Sequence, residues 1–250
     1  MIVFLVDNNK WYLKNLYHLI GQVKSLSQEI AVFWAERTKP PKELSKFKVF
    51  TLTDLELSVQ DQLDISVLDG LELAKTQFHN YHFTGLPFVK IFFPLFFNKV
   101  PFWYLDSDLY VLPNTNSSFF NVNEKLAMVS EEFSGVERFN SGVIYWDLSK
   151  WSESEITYYK KFLVKVLTKN YYESFFKNFN NDQGLLNYFF ISFKERYGDD
   201  LVTELDRKYN ITFLKNTYLT KNTVKDGGLL HFREGSKPDW KDIKKKIELL

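Results

Sequence analysis

Cysteine is absent from the 250 residues of this chain, which excludes disulfides, thiolate metal sites and cysteine nucleophiles and suits a reducing compartment. An excess of charge of one sign is absent too. With 32 basic and 31 acidic residues the net charge is +1, so no global field marks the protein for nucleic acid, and local charge has to carry any electrostatic argument. No Ser/Gly-rich tract, Pro-rich tract or long run of one charge divides the chain, which points to one compact unit. Long hydrophobic runs are also missing. The strongest, LPFVKIFFPLFF from Leu86 to Phe97, is too short for a bilayer and contains Lys90 and Pro94. The opening MIVFLVDNN lacks a basic flank and turns polar at Asp7, as a first strand does and a signal peptide does not. A soluble cytoplasmic protein is the expectation.

What is present is apolar and aromatic. The chain is 45% hydrophobic, with 25 Phe and 14 Tyr, enough for a sizeable core. After a strand at 2–6, apolar residues from Trp11 to Leu26 recur at helical spacing, and IAVFWA and FKVFTL follow as short strands. Helical spacing returns from Asp64 to Phe78, and Leu86–Phe97 is a second, very apolar helix. Beyond it, LAMVSEEF and NSGVIYWDL are predicted strands, Lys150–Lys169 and Asp182–Phe193 predicted helices, and GGLLHF a late buried strand. The tail DWKDIKKKIELL is a short helix with Ile243, Ile247 and Leu250 on one face and lysines on the other. Alternation of strand and helix predicts a mostly parallel sheet flanked by helices, an α/β protein.

WYLDSDLYVL places Asp106 and Asp108 just after a buried apolar run. In an extended strand, side chains at i and i+2 share a face, so both carboxylates can converge on one cation at the strand's carboxyl end, where open α/β sheets place ligands. Mg2+ or Mn2+ suits such an oxygen site, and a diphosphate can fill the remaining positions. The alternative is a pair of solvated turn carboxylates. His231 ends another buried strand in LLHFREGSKP, followed by Gly235, which permits close backbone approach, and Lys237, which can meet phosphate. Imidazole favours Mn2+ over Mg2+; a structural histidine is the other reading. In FNSGVIYWDLSKW, Asn140 can bond hydroxyls and Gly142 lets a ligand near the backbone, unless the segment is a plain turn. In NNDQGLLN, Asp182 and Gln183 either bond a sugar or, for Asp182, cap a helix.

These motifs, in this order, resemble glycosyltransferase family 8, the retaining GT-A enzymes that include bacterial lipooligosaccharide galactosyl- and glucosyltransferases and glycogenin. IVFLVDNN, YLDSDLYV, FNSGVIYWDLSKW with DQGLLN, and HFREGSKPDW span nearly the whole chain. The resemblance implies a GT-A fold, a single Rossmann-like domain over 1–250 with a nucleotide-binding half at about 1–112 and a donor-sugar and acceptor half at about 113–250. It implies that Asp106, Asp108 and His231 bind Mn2+, with Mg2+ as the substitute, and that the metal holds the diphosphate of a UDP-hexose. Asp7 and Asn9 would contact uracil and ribose, Lys237 and Gly235 the diphosphate, Ser107 the donor beside its flanking acids. Asn140, Ser141 and Gly142 would lie near the donor sugar, Asp182 on its hydroxyls, and Gln183 close to the anomeric carbon. The acceptor would be a saccharide, glycoprotein or glycolipid, with membrane contact at most peripheral, at the inner face and through the C-terminal helix.

Two positions depart from the family pattern. Gly235 is four residues after His231 where three is common, with Asp239 intervening before Trp240, and Lys90 stands where an arginine usually faces the donor. Lysine keeps the charge but loses the bidentate fork. As an amide, Gln183 is a poor nucleophile, so retention is expected through same-face attack by the acceptor, with a covalent route through Asp182 as the alternative. Two rival readings are a haloacid dehalogenase-like phosphatase, suggested by DSDLYVL and the later YGDDL, and a non-catalytic UDP-sugar-binding protein on the same fold.

Overall fold

A computed structural model describes residues 1–26, 29–66, 69, 86–133, 136–166, 182–213, 220–232 and 240–249. Strand β1 (Ile2–Val6) is buried at every position. Its side chains alternate between two cores: Ile2, Phe4 and Val6 enter one, Val3 and Leu5 the other. A strand covered on both faces belongs inside a parallel sheet. It lies between parallel β2 (Ile30–Trp34) and parallel β4 (Phe102–Leu105), with β3 (Lys48–Thr51) parallel beyond β2. On the far side of β4, β7 (Val136–Trp146) is antiparallel to β4, β6 (Leu126–Phe133) antiparallel to β7, and β8 (Thr203–Glu204) parallel to β6. The resulting sheet has seven strands in the order β3-β2-β1-β4-β7-β6-β8 and is mostly parallel, as expected.

A second sheet joins β5 (Leu109–Val111), β10 (Leu229–Phe232) and β9 (Ile211–Phe213) in that order, β10 antiparallel to β5 and parallel to β9. Only β10 was legible in sequence, because three-residue strands carry too little periodicity to register. The small sheet and α1 (Lys10–Val23), through Leu16, Leu19, Ile20 and Val23, cover one face of the central sheet. The other face packs against α2 (Leu52–Leu63), α5 (Glu153–Val166) and α6 (Asp182–Tyr197), which contribute Leu55, Val59, Tyr159, Leu163, Phe189 and Phe193. Each such side chain is worth about 1.5–3 kcal/mol on burial, so packing decides where these helices lie.

Two helix expectations are corrected. Thr51 Oγ1 accepts from Asp54 N while Asp54 accepts from Thr51 N, a capping box that starts α2 at Leu52. Asp64, expected to begin a helix running to Phe78, instead caps the end of α2 at φ 56°; residues 70–78 lie outside the described residues. The helix expected over Leu86–Phe97 comes in three pieces: α3 (Leu86–Val89), a 3-10 turn at Lys90–Phe92, and α4 (Phe93–Phe97). Pro94 has no N–H to donate, so it fits the first turn of a new helix and not the middle of a long one. After α7 (Lys221–Lys225), the tail forms α8 (Trp240–Glu248), whose Ile243 and Ile247 pack on Tyr110, Leu230 and Phe232. Leu250 lies outside the described residues. Among the described residues no helix is long and apolar enough to cross a membrane.

Candidate active site

The chain leaves the central sheet at Leu105 and enters the small sheet at Leu109, so Asp106, Ser107 and Asp108 form the link between them. This corrects the expectation of one strand presenting both acids: β4 ends before Asp106. The acids converge nonetheless. Antiparallel pairing sets His231 of β10 opposite Leu109, and Phe232 N donates to Asp108 O at 3.1 Å. One ligand atom each from Asp106, Asp108 and His231 lie within 4.8 Å of one another. His231 Nε2 is 3.3 Å from Asp108 Oδ1 and 3.6 Å from Asp106 Oδ2.

Strand β7 closes the other side. Asp106 N donates to Gly142 O at 2.8 Å, and a Cβ on Gly142 would stand 2.3 Å from His231 Cε1 and 2.9 Å from Asp106 Oδ2. Glycine is required here because the imidazole and the carboxylate occupy the space a side chain would need. Two carboxylates and one imidazole, cradled without a competing side chain, fit a divalent cation of the Mn2+ or Mg2+ type.

Beneath Asp106 lies Lys90, buried to 4% exposure. Its Nζ is 2.8 Å from Asp182 Oδ2, 2.9 Å from Ser141 O and 3.5 Å from Asp106 Oδ1. Burial alone lowers the lysine pKa, but Asp106 and Asp182 outweigh it and carry it above its ordinary value. Ser141 Oγ donates to the same Asp182 oxygen at 2.6 Å, so Asp182, in the first turn of α6, is held by the interior and keeps its other oxygen. Tyr104 donates its hydroxyl to Asp106 Oδ1. The phenol is held well above its usual pKa, first by burial and then by the Asp106 charge, and stays a donor. His231 is pushed up: burial lowers its pKa, and the Asp108 and Asp106 carboxylates more than offset that.

On the remaining side, Asn140 Nδ2 donates to Glu131 Oε2 at 3.0 Å and Gln183 Nε2 to Glu131 Oε1 at 2.8 Å. Asn187 braces this edge: Phe139 N donates to its Oδ1, and its Nδ2 to Phe139 O and Gln183 O, each at 2.8 Å. Asp7, buried at the carboxyl end of β1, accepts from Asn9 N at 2.9 Å. Asn9 Oδ1 accepts from Trp11 N at 3.0 Å and caps α1. Ser107 is buried between the two acids. Gly235 and Lys237 lie outside the described residues.

The structure therefore brings Asp106, Asp108, His231, Gly142, Ser141, Asp182 and Lys90 into one cluster, and ties Asn140 and Gln183 together through Glu131. Sequence reasoning missed Tyr104, Glu131 and Asn210. Glu131 carried a faint signal as one of two adjacent acids in a strand that begins apolar, LAMVSEEF; Asn210, in DRKYNITF, carried none. By contrast, Asp199 and Asp200, the later acidic pair of the phosphatase reading, are exposed after α6, where Asp200 pairs with Lys194 at 2.8 Å.

Comparison with known proteins follows the same line. The family model for glycosyl transferase family 8 matches residues 1–244. The glycosyltransferase GlyE of Streptococcus pneumoniae TIGR4 aligns with a TM-score of 0.60 at 17% identity, covering 100% of this chain and 60% of that one. The chain thus spans under two thirds of GlyE. The galactosyltransferase LgtC, solved with donor and acceptor sugar analogs, gives a TM-score of 0.56 at 11% identity over 100% of this chain and 95% of its own. Mouse xyloside xylosyltransferase 1, in its apo form, gives 0.57 at 14% identity over 95% and 98%. At these identities the likeness concerns the fold, which is GT-A. No curated protein sequence matches the chain significantly.

Proposed function

Given that this chain belongs to glycosyl transferase family 8, we propose that it transfers a hexose, glucose or galactose, from a UDP-sugar to a glycan acceptor with retention at the anomeric carbon. The observation that carries the reading is the convergence of Asp106, Asp108 and His231 within 4.8 Å at the junction of the two sheets. On this reading those three hold Mn2+, or Mg2+ in its place, and the ion supplies positive charge for the donor's diphosphate. Lys237 and Gly235 meet the same diphosphate, and Asp7 with Asn9 the nucleoside. The first 112 residues, roughly, serve the nucleotide and the rest the sugar and acceptor.

Asp182 bonds the donor sugar through the oxygen that Lys90 and Ser141 leave open. Lys90 has its donors directed at Asp182, Ser141 O and Asp106, so its part is to fix two acids and not to grip phosphate. Gln183 gives its amide N–H to Glu131, which leaves its carbonyl oxygen as the end available to a developing oxocarbenium. The bond from the anomeric carbon to the UDP oxygen breaks, the acceptor hydroxyl bonds on the same face, and its proton passes to the departing phosphate oxygen.

The test is UDP release from a panel of UDP-sugars without acceptor, in Mn2+ or EDTA, comparing wild type with Asp108→Ala. Slow hydrolysis of one UDP-hexose that needs Mn2+ and vanishes in the variant is the expected result. Absence of hydrolysis for every donor, together with no Mn2+-dependent UDP binding by calorimetry, overturns the reading. Tight Mn2+-dependent UDP binding without turnover for any acceptor would favour a sugar-nucleotide-binding protein instead.

A further inference from the structure

A line of polar side chains, buried at His231, Asn210 and Asn140 and half-buried at Glu131 and Gln183, runs from His231 to Gln183, and only one arrangement of its protons satisfies it. As a carboxylate, Glu131 accepts and cannot donate; the Gly142 N–H donates and cannot accept. Asn140 lies between them, so its Nδ2 faces Glu131 at 3.0 Å and its Oδ1 accepts from Gly142 N at 2.8 Å. With Asn140 fixed, Asn210 must turn Nδ2 toward Asn140 Oδ1, at 2.7 Å. Its own Oδ1 is then the atom 3.0 Å from His231 Nδ1. An amide oxygen there requires the proton of a neutral imidazole to sit on Nδ1. Nε2 is left with its lone pair, and it is the nitrogen that faces Asp108 at 3.3 Å and Asp106 at 3.6 Å.

Asn210 is placed for this by its own neighbourhood. It ends a 3-10 turn at Arg207–Tyr209 that Asp206 caps through Lys208 N at 2.9 Å. Tyr209 stacks on Trp103 with centroids 5.7 Å apart and planes 1° from parallel, and Asn210 itself is 5% exposed.

We infer that Asn210 is a positioning residue for the metal site: its amide fixes the His231 tautomer and ring orientation so that Nε2 is presented as the ligand. The inference rests on the proposed metal-dependent reading. Ligating histidines are commonly oriented by a partner at the other ring nitrogen, and loss of that partner typically costs about ten- to a hundredfold in metal affinity.

Two measurements test it on the full chain. The first is Mn2+ affinity by paramagnetic resonance for wild type, Asn210→Leu and Asn210→Asp, with circular dichroism confirming the fold of each. Asn210→Leu, which offers no acceptor, is expected to bind Mn2+ about ten- to a hundredfold more weakly, and Asn210→Asp, which keeps the acceptor for His231 but loses the donor to Asn140 Oδ1, to lose clearly less than leucine. A folded Asn210→Leu protein with wild-type affinity, or an Asn210→Asp protein as weak as leucine, overturns the inference. The second needs no metal and no variant: long-range proton–nitrogen NMR in alkaline solution reports where neutral His231 carries its proton. Nδ1 is expected, and Nε2 overturns it. A wild type that binds no Mn2+ but shows the Nδ1 tautomer would instead place the fault with the metal reading.

Discussion

Lys90 Nζ lies 2.8 Å from Asp182 Oδ2, an ion pair formed across the core between residues far apart in sequence, with the lysine side chain 3% exposed and the aspartate 9%. One buried ammonium thereby ties the helix that starts at Asp182 to the turn that carries Asp106.

Removing the cation strands the acid. Breaking a buried pair by deleting one partner costs about 3–5 kcal/mol, and Asp106, at 27% side-chain exposure, recovers some solvation, so Lys90→Met is expected at the lower end, about 3 kcal/mol. That is roughly 6–12 °C in Tm for a chain of this size. A double variant, Lys90→Met with Asp182→Leu, should regain part of the loss. Thermal melts of the three proteins decide it; a Lys90→Met protein as stable as wild type would refute the pairing.

Gly142→Ala is expected to damage the site more than the fold. The new Cβ would stand 2.3 Å from His231 Cε1, and forcing one methyl into a packed interior costs about 1–3 kcal/mol. The ring must yield, so Mn2+ binding should fall to near that of Asp108→Ala while the protein still melts cooperatively. Calorimetry with Mn2+ on the folded variant is the check, and undiminished binding would show that the ring has room to spare.

Glu131→Gln tests the grip on Gln183. Glutamate offers one oxygen to Asn140 and the other to Gln183; glutamine has a single oxygen for two donors, and its own amide opposes one of them. A small misplacement at a reacting centre can cost up to about a hundredfold. On the proposed UDP-sugar reading, turnover is expected to drop by about ten- to a hundredfold with donor affinity little changed. Loss of donor binding with unchanged turnover would move Glu131 out of this role.

Glu155 supplies a pH dependence away from the site. It accepts from Ser152 N at 2.6 Å and from Lys125 at 2.9 Å, while Glu155 N binds Ser152 Oγ, a capping box for α5. Burial alone raises its pKa, but Lys125 and Ser152 outweigh it and hold it below the ordinary 4.5. A depressed carboxylate contributes stability that is present above the unfolded pKa and lost as pH falls through the folded one. Glu155→Gln keeps the acceptor for Ser152 N and loses the charge facing Lys125, so it should cost roughly 0.2–1 kcal/mol near pH 7, and the gap to wild type should close in acid. A gap that stays constant down to pH 3 would rule out this charge effect.

Much of the layout was legible in the sequence because burial writes it there. The apolar run before Asp106 and the run before His231 became β4 and β10, and the strand at 2–6 matched β1 residue for residue. Boundaries failed where local chemistry overrode periodicity: the Thr51–Asp54 capping box started α2 where a strand tail had been expected, and Pro94 cut one predicted helix into pieces.

What the sequence by itself determined is the inventory and the order: two acids after one buried strand, a histidine near the end of another, Asn140 to Gly142 and Asp182–Gln183 between them, in the sequence that marks the family. Short-range patterns suffice for that, since strand periodicity and motif spacing are properties of consecutive residues. Only the tertiary structure decided that Lys90 spends its charge on Asp106 and Asp182, that Gly142 is glycine to clear His231, and that Asn210 and Glu131 hydrogen-bond to His231 and Gln183. Those are contacts between elements brought together by the antiparallel pairing of β10 with β5 and of β7 with β4, and no local pattern encodes which donor meets which acceptor once two sheets have closed on one another.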